Sequence, residues 1–451
     1  MSSSSPLKTA LKRDLKLAVG LRFRRELEAN LRMTREEFDR YQTRAFRRMY
    51  EHAVARVPYY RDRRDVYRPE YAAIEPAAEA IRRLPILTKD VLREHNDAFF
   101  AAPPSRFATT HTTSGTTGTP IRIRGDVWER GFHEQLALRQ GYVLCGKWMP
   151  RTVRITSMVP RGYQGGRAIS FHDRVLGVLY LSMYELSPSR AEEYLDTIER
   201  FCPEVVFGYG STLYAAAKVL GGHLRVPRIK GVISTAETMR EDWLETIQEV
   251  FRCKLHEQYG SQESQFLVTE CAAGSMHVNP EPGIVEIVDD DSRPVPDGGE
   301  GRVLVTGIAR LSMPLMRFDL NDIAGSTGFR TGCACGCQWP TIGPVVGRID
   351  DLVVTPGGHR LTAMNWHATK DVANIVKSQL IQWALKRFEM KVVAGLGYER
   401  AAAEATIRRV IHEYVGSDAE VVFEYVEEIP MQGRKYRAVV SHVRLPDVGR
   451  D

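Results

Sequence analysis

Short β-rich runs alternate with helical patterns over residues 105–345, and this alternation is the feature that most constrains the fold of the 451-residue chain. The β-rich runs are TVRITSMV, VVFGYG, GVIST and GRVLVTG, and the helical patterns are SRAEEYLDTIERF, STLYAAAKVLGGHL and MREDWLETIQEVF. Because a sheet buries its faces against the helices that connect its strands, such alternation is typical of a layered α/β domain.

The two ends of the chain differ from this central region. Residues 7–60 are predicted to be helical. After GRIDDLVVTPGG we expect a helical run near 365–388, a strand at MKVVAG, a helix near 401–414 and a strand at AEVVFEYV. The sequence therefore predicts the α/β class, with a large multi-sheet N-terminal domain over residues 1–347 and a small α+β C-terminal domain over residues 351–451.

Composition excludes some partners. The chain has 62 basic and 56 acidic residues and no basic stripe with interleaved aromatic residues, so we expect no nucleic-acid partner. Residues 1–25 are basic, which is typical of a transit peptide, of contact with an acidic membrane surface, or of a basic helix that covers the protein; we favour the helix. We see no signal-peptide core and no apolar stretch near the ~20 residues that span a bilayer, and expect a cytoplasmic protein.

A Thr-rich stretch, TTHTTSGTTGTP at residues 109–120, combines seven Thr, one Ser and two Gly. Such a segment buries little, and it offers hydroxyl groups and backbone N–H groups, which are donors that bind phosphate. No Gly-Lys-Ser/Thr sequence follows, so the stretch is not a Walker loop. It is either a phosphate-binding loop or a Thr-rich hairpin turn.

Two polar stretches follow strand-like runs. In EQYGSQES, residues 257–264, Tyr259 is suited to flank a flat base and Glu263 to bind a hard cation; the alternative is a strand that ends in a turn. In RFDLNDIAG, residues 317–325, Asp322 is predicted to end a short strand-like run and offers two oxygens to a ribose diol, with Asp319 as a rival. The alternative there is a loop acid that caps a backbone N–H group.

Two further stretches carry cations in the last third of the chain. Arg348 in GRIDDLVVTPGGHR is a fixed cation beside two acids, and the alternative is a salt-bridged linker. Lys435 in IPMQGRKYRAVV is placed to neutralise charge that develops in a transition state, and the alternative is a solvated basic turn.

In this order and spacing, the segments resemble the adenylate-forming enzymes, the superfamily of acyl-CoA ligases, firefly luciferase and the adenylation domains of peptide synthetases. The matching segments are TTSGTTGTP, FGYGST, STAE, YGSQES, RFDLND, GRIDD and QGRKYR. The chain is most similar to the phenylacetate–CoA ligase and capsular-polysaccharide ligase branch, which HAVARVPYYR also matches. The resemblance spans residues 40–440 approximately.

The resemblance implies an enzyme that binds ATP and Mg²⁺ between the large domain and a mobile C-terminal lid. It assigns Mg²⁺ to Glu263, the hinge of the lid to Asp350, and stabilisation of the adenylation transition state to Lys435. It assigns the nucleotide to a larger set of residues: Ser114, Gly115, Thr116, Thr117, Gly118, Thr119, Glu237, Tyr259, Gly260, Ser261, Asp322 and Arg348.

Two departures from the family pattern bear on these assignments. Thr119 stands where many members have Lys, although the nearer branch often has Thr. Arg434 separates the usual Gly from Lys435, so either residue could be the catalytic cation; we favour Lys435 because Lys-Tyr-Arg matches the Lys-x-Arg of the branch.

The implied reaction converts a carboxylic acid and ATP into an acyl-adenylate and pyrophosphate, and a nucleophile then displaces AMP. The thiol of CoA is the expected nucleophile, with an amine or a carrier-protein arm as alternatives. We expect the acyl pocket, which would suit an aryl acid, to be formed by Phe132, Phe207, Tyr209 and Thr235; the alternative for the aromatic residues beside Gly208 and Gly210 is a packed strand end. Two other hypotheses are a non-catalytic nucleotide-binding module and an assembly factor that contacts a membrane through the basic N-terminal helix.

The seven cysteines point to a metal site, because three of them crowd into GCACGCQWP. Together with ECAAGSMH, this segment supplies soft thiolates and an imidazole, which are ligands of a closed tetrahedral zinc site. Similar pieces occur in the nearer branch. We select Cys271, His277, Cys333 and Cys335 as ligands of structural Zn²⁺, with Cys337 as the spare; the alternative is free cysteines in a loop.

Overall fold

The computed structural model describes residues 21–112, 121–156, 169–174, 176–183, 186–221, 229–237, 241–261, 266–348, 353–356, 372–429 and 438–443, together with 224, 226, 239, 263, 360–361 and 368–369. Among these residues, no helix is both long and apolar enough to cross a membrane.

Helices form the first part of the described chain: α1 Arg24–Asn30, α2 Arg35–Arg56, α3 Pro58–Arg61, α4 Ala77–Arg82 and α5 Lys89–Glu94, with 3₁₀ turns at Pro69–Ala73 and Asn96–Phe99. Helix α2 begins at a capping box in which Thr34 and Glu37 satisfy each other's backbone N–H groups. Its buried side chains recur every three or four residues and pack into the large core. The helical prediction for residues 7–60 is confirmed over the described part, with a break between α1 and α2.

A hairpin of β1 Thr109–Thr112 and β2 Arg122–Gly125 leads into the long helix α6 Val127–Cys145. Asp126 and Glu129 form the capping box of α6, and Gly146 ends it with a φ of 71°. A left-handed residue favours glycine, which accounts for the position of this helix end.

A nine-stranded sheet forms the centre of the fold. Its strands are β3 Thr152–Thr156, β4 Ser170–Asp173, β5 Val178–Ser182, β6 Val205–Tyr209, β7 Gly231–Thr235, β8 Leu255–Ser261, β9 Phe266–Glu270, β10 Met276–Val278 and β14 Thr341–Ile342, in the order β14-β10-β9-β8-β7-β6-β3-β5-β4. Strands β5, β3, β6, β7 and β8 run parallel. Helices α7 Ala191–Phe201, α8 Gly210–Leu220 and α9 Glu241–Phe251 precede β6, β7 and β8, as the alternation predicted, and a 3₁₀ turn at Pro188–Arg190 precedes α7.

A second, antiparallel sheet contains β11 Gly283–Val288, β12 Glu300–Gly307, β13 Phe318–Gly325 and β15 Val345–Arg348, in that order. The buried side chains of this sheet join those of α2 to α5 in one hydrophobic core. The multi-sheet α/β class is therefore confirmed.

The last part of the chain has its own sheet and core. A short pair, β16 Val353–Val354 and β17 Arg360–Leu361, precedes β18 Ile375–Ala384, β19 Arg387–Ala394, helix α10 Arg400–Val415, β20 Glu420–Tyr425 and β21 Val439–Ser441, with the sheet order β20-β19-β18-β21. The predictions of the helix near 401–414 and the strands at MKVVAG and AEVVFEYV are confirmed. The helical prediction near 365–388 is wrong over residues 375–388, where β18 and the start of β19 form an antiparallel pair and Leu380 lies in one buried core with side chains of α10. Residues 368–369 are helical, and 365–367 and 370–371 lie outside the described residues.

Candidate active site

Two residues predicted for the acyl pocket, Tyr209 and Thr235, lie at the carboxyl ends of neighbouring parallel strands. Tyr209, at the end of β6, is paired with Thr235, at the end of β7, and Thr235 is paired with Gln258 of β8. The Thr235 hydroxyl donates to the Gln258 carbonyl at 3.2 Å. Ligands of open α/β sheets bind at this edge, because loops and helix N-termini converge there.

Glu237 follows β7 at the same edge, and its carboxylate binds the start of helix α8. One oxygen accepts a 2.7 Å hydrogen bond from the backbone N–H of Ser211, and the other accepts from the Ser211 hydroxyl at 3.0 Å. A carboxylate at a helix N-terminus is stabilised by the helix dipole. Glu237 therefore fixes α8 against the strand ends. No sequence motif indicated its contact with Ser211.

Tyr259 and Asp322 join the two large sheets. The Tyr259 hydroxyl donates to the Asp322 carboxylate at 2.8 Å. Asp322 lies within β13, where it is paired with Arg348 of β15, so these three predicted residues converge. Asp322 is inside a strand of eight residues, and the prediction that it ends a short run is wrong, because pairing with both β12 and β15 extends β13.

Asp319, the rival of Asp322, has structural contacts. Its carboxylate forms a 3.0 Å ion pair with Arg302 and accepts a 2.8 Å hydrogen bond from the backbone N–H of Asn321. It is 4% exposed. These contacts match the predicted alternative of an acid that caps a backbone N–H group.

The turn after β8 holds the predicted cation ligand. The Ser261 hydroxyl donates to the Glu263 carboxylate at 2.6 Å and accepts from the Glu263 backbone N–H at 3.1 Å. A Cβ on Gly260 would lie 2.8 Å from the Phe266 carbonyl oxygen, so β8 and β9 can approach this closely only at glycine. The Glu263 carbonyl accepts a 2.9 Å hydrogen bond from Arg310, a residue that the sequence analysis missed.

Several predicted residues lie outside the described part of the chain: Ser114, Gly115, Thr116, Thr117, Gly118, Thr119, Asp350, Arg434 and Lys435. The strands that flank the Thr-rich stretch are described, and Thr112 is paired with Arg122 at the end of the hairpin. For Arg348, the structure describes the backbone and not the side chain.

The predicted acyl-pocket residues fall into two places. Phe207 and Tyr209 lie on one face of β6, and the Arg154 guanidinium covers the Phe207 ring at 4.5 Å. Phe132 lies on helix α6, where it packs edge-to-face on Phe23 with ring centroids 5.0 Å apart. It lines a separate cavity of about 890 Å³ between α6 and the N-terminal helices.

Glu257 is a half-buried titratable group on the same strand face as Tyr259. Burial, with the neighbouring Glu270 carboxylate, raises the pKa of Glu257 to about 7. The Glu257 backbone N–H donates to the Glu270 carboxylate at 2.9 Å. No sequence pattern singled it out, because its pKa depends on a neighbour on another strand.

The predicted zinc ligands come together. The ligand atoms of Cys271, His277, Cys333 and Cys335 all lie within 4.8 Å of one another. Two pairs are shorter: 3.7 Å between the sulfurs of Cys271 and Cys333, and 3.4 Å between the Cys335 sulfur and His277 Nε2. Zn–S bonds of ~2.3 Å and Zn–N bonds of ~2.0 Å in a tetrahedron place such atoms about 3.8 and 3.5 Å apart, so the donor set fits zinc.

The surroundings of His277 favour the same interpretation. His277 is 2% exposed, and its Nδ1 lies 3.1 Å from the Trp339 carbonyl oxygen. A proton on Nδ1 leaves Nε2 as the free donor atom toward the thiols. Cys337, the predicted spare, is outside the four-residue group, and its backbone N–H lies 3.4 Å from the Cys335 sulfur.

Comparison with known proteins gives relatives over most of the chain. A model of the CapK C-terminal domain family matches residues 353–442. The chain is 26% identical over 344 residues to the phenylacetate-coenzyme A ligase of Thermus thermophilus. The aligned region covers 72% of this chain and 73% of that relative. It is 21% identical over 379 residues to protein CapK of Staphylococcus aureus, which covers 81% of each chain.

Among solved structures, 2-hydroxyisobutyryl-CoA ligase in the postadenylation state, in complex with R3-HIB-AMP, matches with a TM-score of 0.67. The match covers 91% of both chains at 17% identity. A likeness at this identity shows a shared fold.

Proposed function

Since the chain has the fold of the adenylate-forming ligases and relatives in their phenylacetate–CoA ligase and CapK branch, as its motifs predicted, we propose that it is an AMP-forming ligase. It activates a carboxylic acid with ATP, releases pyrophosphate, and transfers the acyl group to a nucleophile, for which we propose the CoA thiol. The observation that carries this proposal is the convergence of Glu237, Tyr259, Asp322 and the Glu263 turn at the carboxyl edge of the parallel strands.

Each of these residues has a proposed role. Tyr259 and Glu237 border the adenine, and Asp322 accepts hydrogen bonds from the ribose hydroxyls beside Arg348. The hydrogen bond from Tyr259 orients the Asp322 carboxylate, which supports this assignment. Residues 114–119 wrap the phosphates, and the hairpin of β1 and β2 supports their two ends.

Glu263 is the proposed ligand of Mg²⁺. Its carboxylate accepts one hydrogen bond from Ser261, which leaves oxygen lone pairs for a hard cation. Mg²⁺ bound there supplies charge neutralisation for the phosphates. Lys435 supplies a second positive charge, which we place in the transition state of adenylation.

We propose that residues 1–347 and 351–451 are separate domains and that the second is a lid that turns about Asp350. The separate sheet and core of residues 353–441 support this division. Rotation of the lid would move Lys435 away from the adenylate and let the thiol of CoA approach it for the second step. Lid motions of this kind often limit turnover.

For the acid we propose an aryl carboxylate, held by Phe207, Tyr209 and Thr235 at the strand ends. The half-buried rings of Phe207 and Tyr209 on one face of β6 support a flat substrate. We keep Phe132 as a proposed acyl-pocket residue as well, in the cavity that it lines with Phe23.

A structural zinc ion completes the proposal, with Cys271, His277, Cys333 and Cys335 as ligands. It would tie the 333–335 loop to β9 and β10, at the opposite end of the sheet from β4. Its expected effect is on stability, because a closed four-ligand site leaves no position for a substrate.

Formation of an acyl-CoA tests the whole proposal. Purified protein is incubated with ATP, Mg²⁺, CoA and single acids from an aryl and alkyl panel, and the thioester is measured by mass spectrometry. We expect Glu263→Gln to slow the reaction on the order of 10²-fold, and Glu249→Gln, an exposed acid on α9, to leave it unchanged. An adenylate that forms and reacts with an amine but not with CoA would instead establish an amide-forming ligase.

A further inference from the structure

Two cysteines from distant parts of the chain lie side by side at the proposed zinc site. Cys271 directly follows β9, and Cys333 lies in the loop that precedes β14. Their sulfurs are 3.7 Å apart, although 62 residues separate them in the sequence. This distance is about 1.7 Å longer than a disulfide bond, so a small movement would allow the two sulfurs to bond.

The loop that carries Cys333 is anchored at its two ends. It has no helix or strand between β13 and β14. At one end, the Phe329 carbonyl accepts a 2.9 Å hydrogen bond from Arg35; at the other, the Trp339 indole N–H donates to the Asn30 carbonyl at 2.9 Å. Since backbone without regular structure shifts at small cost, the residues between these anchors can bring a sulfur closer to the end of β9.

Exposure decides which cysteines a soluble oxidant reaches. Cys271 is 8% exposed, whereas Cys333 is partly exposed and Cys335 is exposed. The Cys335 sulfur lies 3.4 Å from His277 Nε2, and Cys333 is the loop cysteine that contacts Cys271 at 3.7 Å. Cysteines that bind zinc are thiolates, which is also the form that attacks peroxides. An oxidant therefore meets the loop first and finds a second thiolate directly behind it.

We propose that a peroxide converts Cys271 and Cys333 into a disulfide and thereby releases the metal. The Cys333 thiolate attacks a peroxide oxygen, so that an S–O bond forms, the O–O bond breaks and hydroxide leaves. The Cys271 thiolate then attacks the sulfur of this sulfenic acid, which forms the S–S bond, breaks the S–O bond and releases a second hydroxide. The two thiolates lose two electrons in total, and the peroxide accepts them.

This inference rests on the proposed zinc site and adds a modification site to it. The disulfide would keep the loop attached to β9 after two of the four metal ligands are lost. It closes a segment of 62 residues, and such a link stabilises mainly by restricting the unfolded chain. We expect the oxidised protein to melt about 3–6 °C above reduced protein that a chelator has stripped of zinc.

Peptide mapping tests the link. Folded wild-type protein is treated with hydrogen peroxide, zinc release is followed with a chromogenic chelator, and the remaining thiols are alkylated. Trypsin cuts after Arg330 and so separates Cys271 from the loop cysteines. We expect about one zinc released per chain and a linked pair of peptides that fragmentation assigns to Cys271 and Cys333. Dithiothreitol with added zinc should reverse both changes.

Two variants serve as controls for the mapping. Cys271→Ser should give no linked peptides. Cys145→Ser removes a half-buried cysteine outside the four-residue group, and it should give the wild-type pattern. Because the wild-type measurement needs no variant, the test still decides if Cys271→Ser does not fold.

The outcomes separate this inference from the zinc proposal. Wild-type protein that carries zinc but gives no linked peptides would overturn the disulfide and leave the zinc site intact. A link from Cys335 in place of Cys333, or sulfinic acids that dithiothreitol does not reverse, would also overturn the disulfide. Wild-type protein purified without zinc that still forms the Cys271–Cys333 link would support the disulfide and overturn the zinc site.

Discussion

Glu281→Gln should destabilise the large part of the molecule severely. Glu281 is the counter-ion of Arg139: its two oxygens accept from Arg139 Nη1 at 2.6 Å and Nη2 at 2.8 Å, and one also accepts from Asn30 Nδ2 at 2.7 Å. The side chains of Arg139 and Glu281 are 2% and 0% exposed. Glutamine would remove the charge and turn an N–H₂ group toward one of these donors.

The expected loss follows from the burial of the pair. Removing one partner of a buried ion pair costs about 3–5 kcal/mol, because the other charge stays buried. With an unfolding entropy of about 2.1 cal/mol/K per residue, a cooperative unit of ~330 residues loses about 1.4 °C per kcal/mol, so the melting temperature should fall by about 4–7 °C.

Thermal unfolding followed by circular dichroism checks this expectation. Asp39→Asn is the control, because the Arg35–Asp39 pair is 44% and 45% exposed and such pairs contribute about 0–1 kcal/mol. Arg139→Met combined with Glu281→Leu should recover most of the loss, since no charge is then left buried. The reasoning is refuted if Glu281→Gln melts with the control, or if the double variant is no more stable than the single one.

Three further predictions concern the proposed sites. Lys435→Ala should slow adenylate formation while ATP binding persists, because the contact is made chiefly in the transition state. An equal loss of the adenylation rate in rapid-quench assays and of ATP affinity in binding assays would contradict this role, and so would a severe effect of Arg434→Ala. Cys333→Ser should lose about one bound zinc per chain in metal analysis and lower the melting temperature, and a purified wild-type protein without zinc would end the claim. Wild-type stability should fall as the pH rises from about 4.5 to 7, by up to ~1.4 kcal/mol per pH unit, because folded Glu257 keeps a proton that the unfolded chain releases. Glu257→Gln should remove this slope in denaturant titrations at several pH values, and an unchanged slope would exclude Glu257 as its source.

The sequence predicted the central sheet because the period of its apolar residues changes between strand and helix. The strands β6 and β7 and the helices α7, α8 and α9 lie where these patterns occur. Residues 375–384 were misassigned because their apolar side chains also fit a helical face, and pairing with β19 and β21, distant in sequence, decides in favour of a strand.

Within the site, motif residues were predictable and their partners were not. Tyr259, Asp322 and Glu263 lie in recognisable sequence motifs. The four zinc-ligand candidates lie in two segments, ECAAGSMH and GCACGCQWP. Ser211 and Arg310 have roles that depend on contacts with Glu237 and Glu263, which are far away in the sequence. A single sequence carries no signal for contacts of this kind, because many surface or core arrangements use the same residue types.

Exchange of labelled pyrophosphate into ATP tests the central claim most directly, since it reports acid adenylation without any acceptor. With Mg²⁺ present, we expect exchange that depends on one acid from an aryl and alkyl panel and that is strongly reduced in Lys435→Ala. Absence of acid-dependent exchange across the panel, in folded protein that binds ATP, would contradict the claim and leave a nucleotide-binding module without ligase activity.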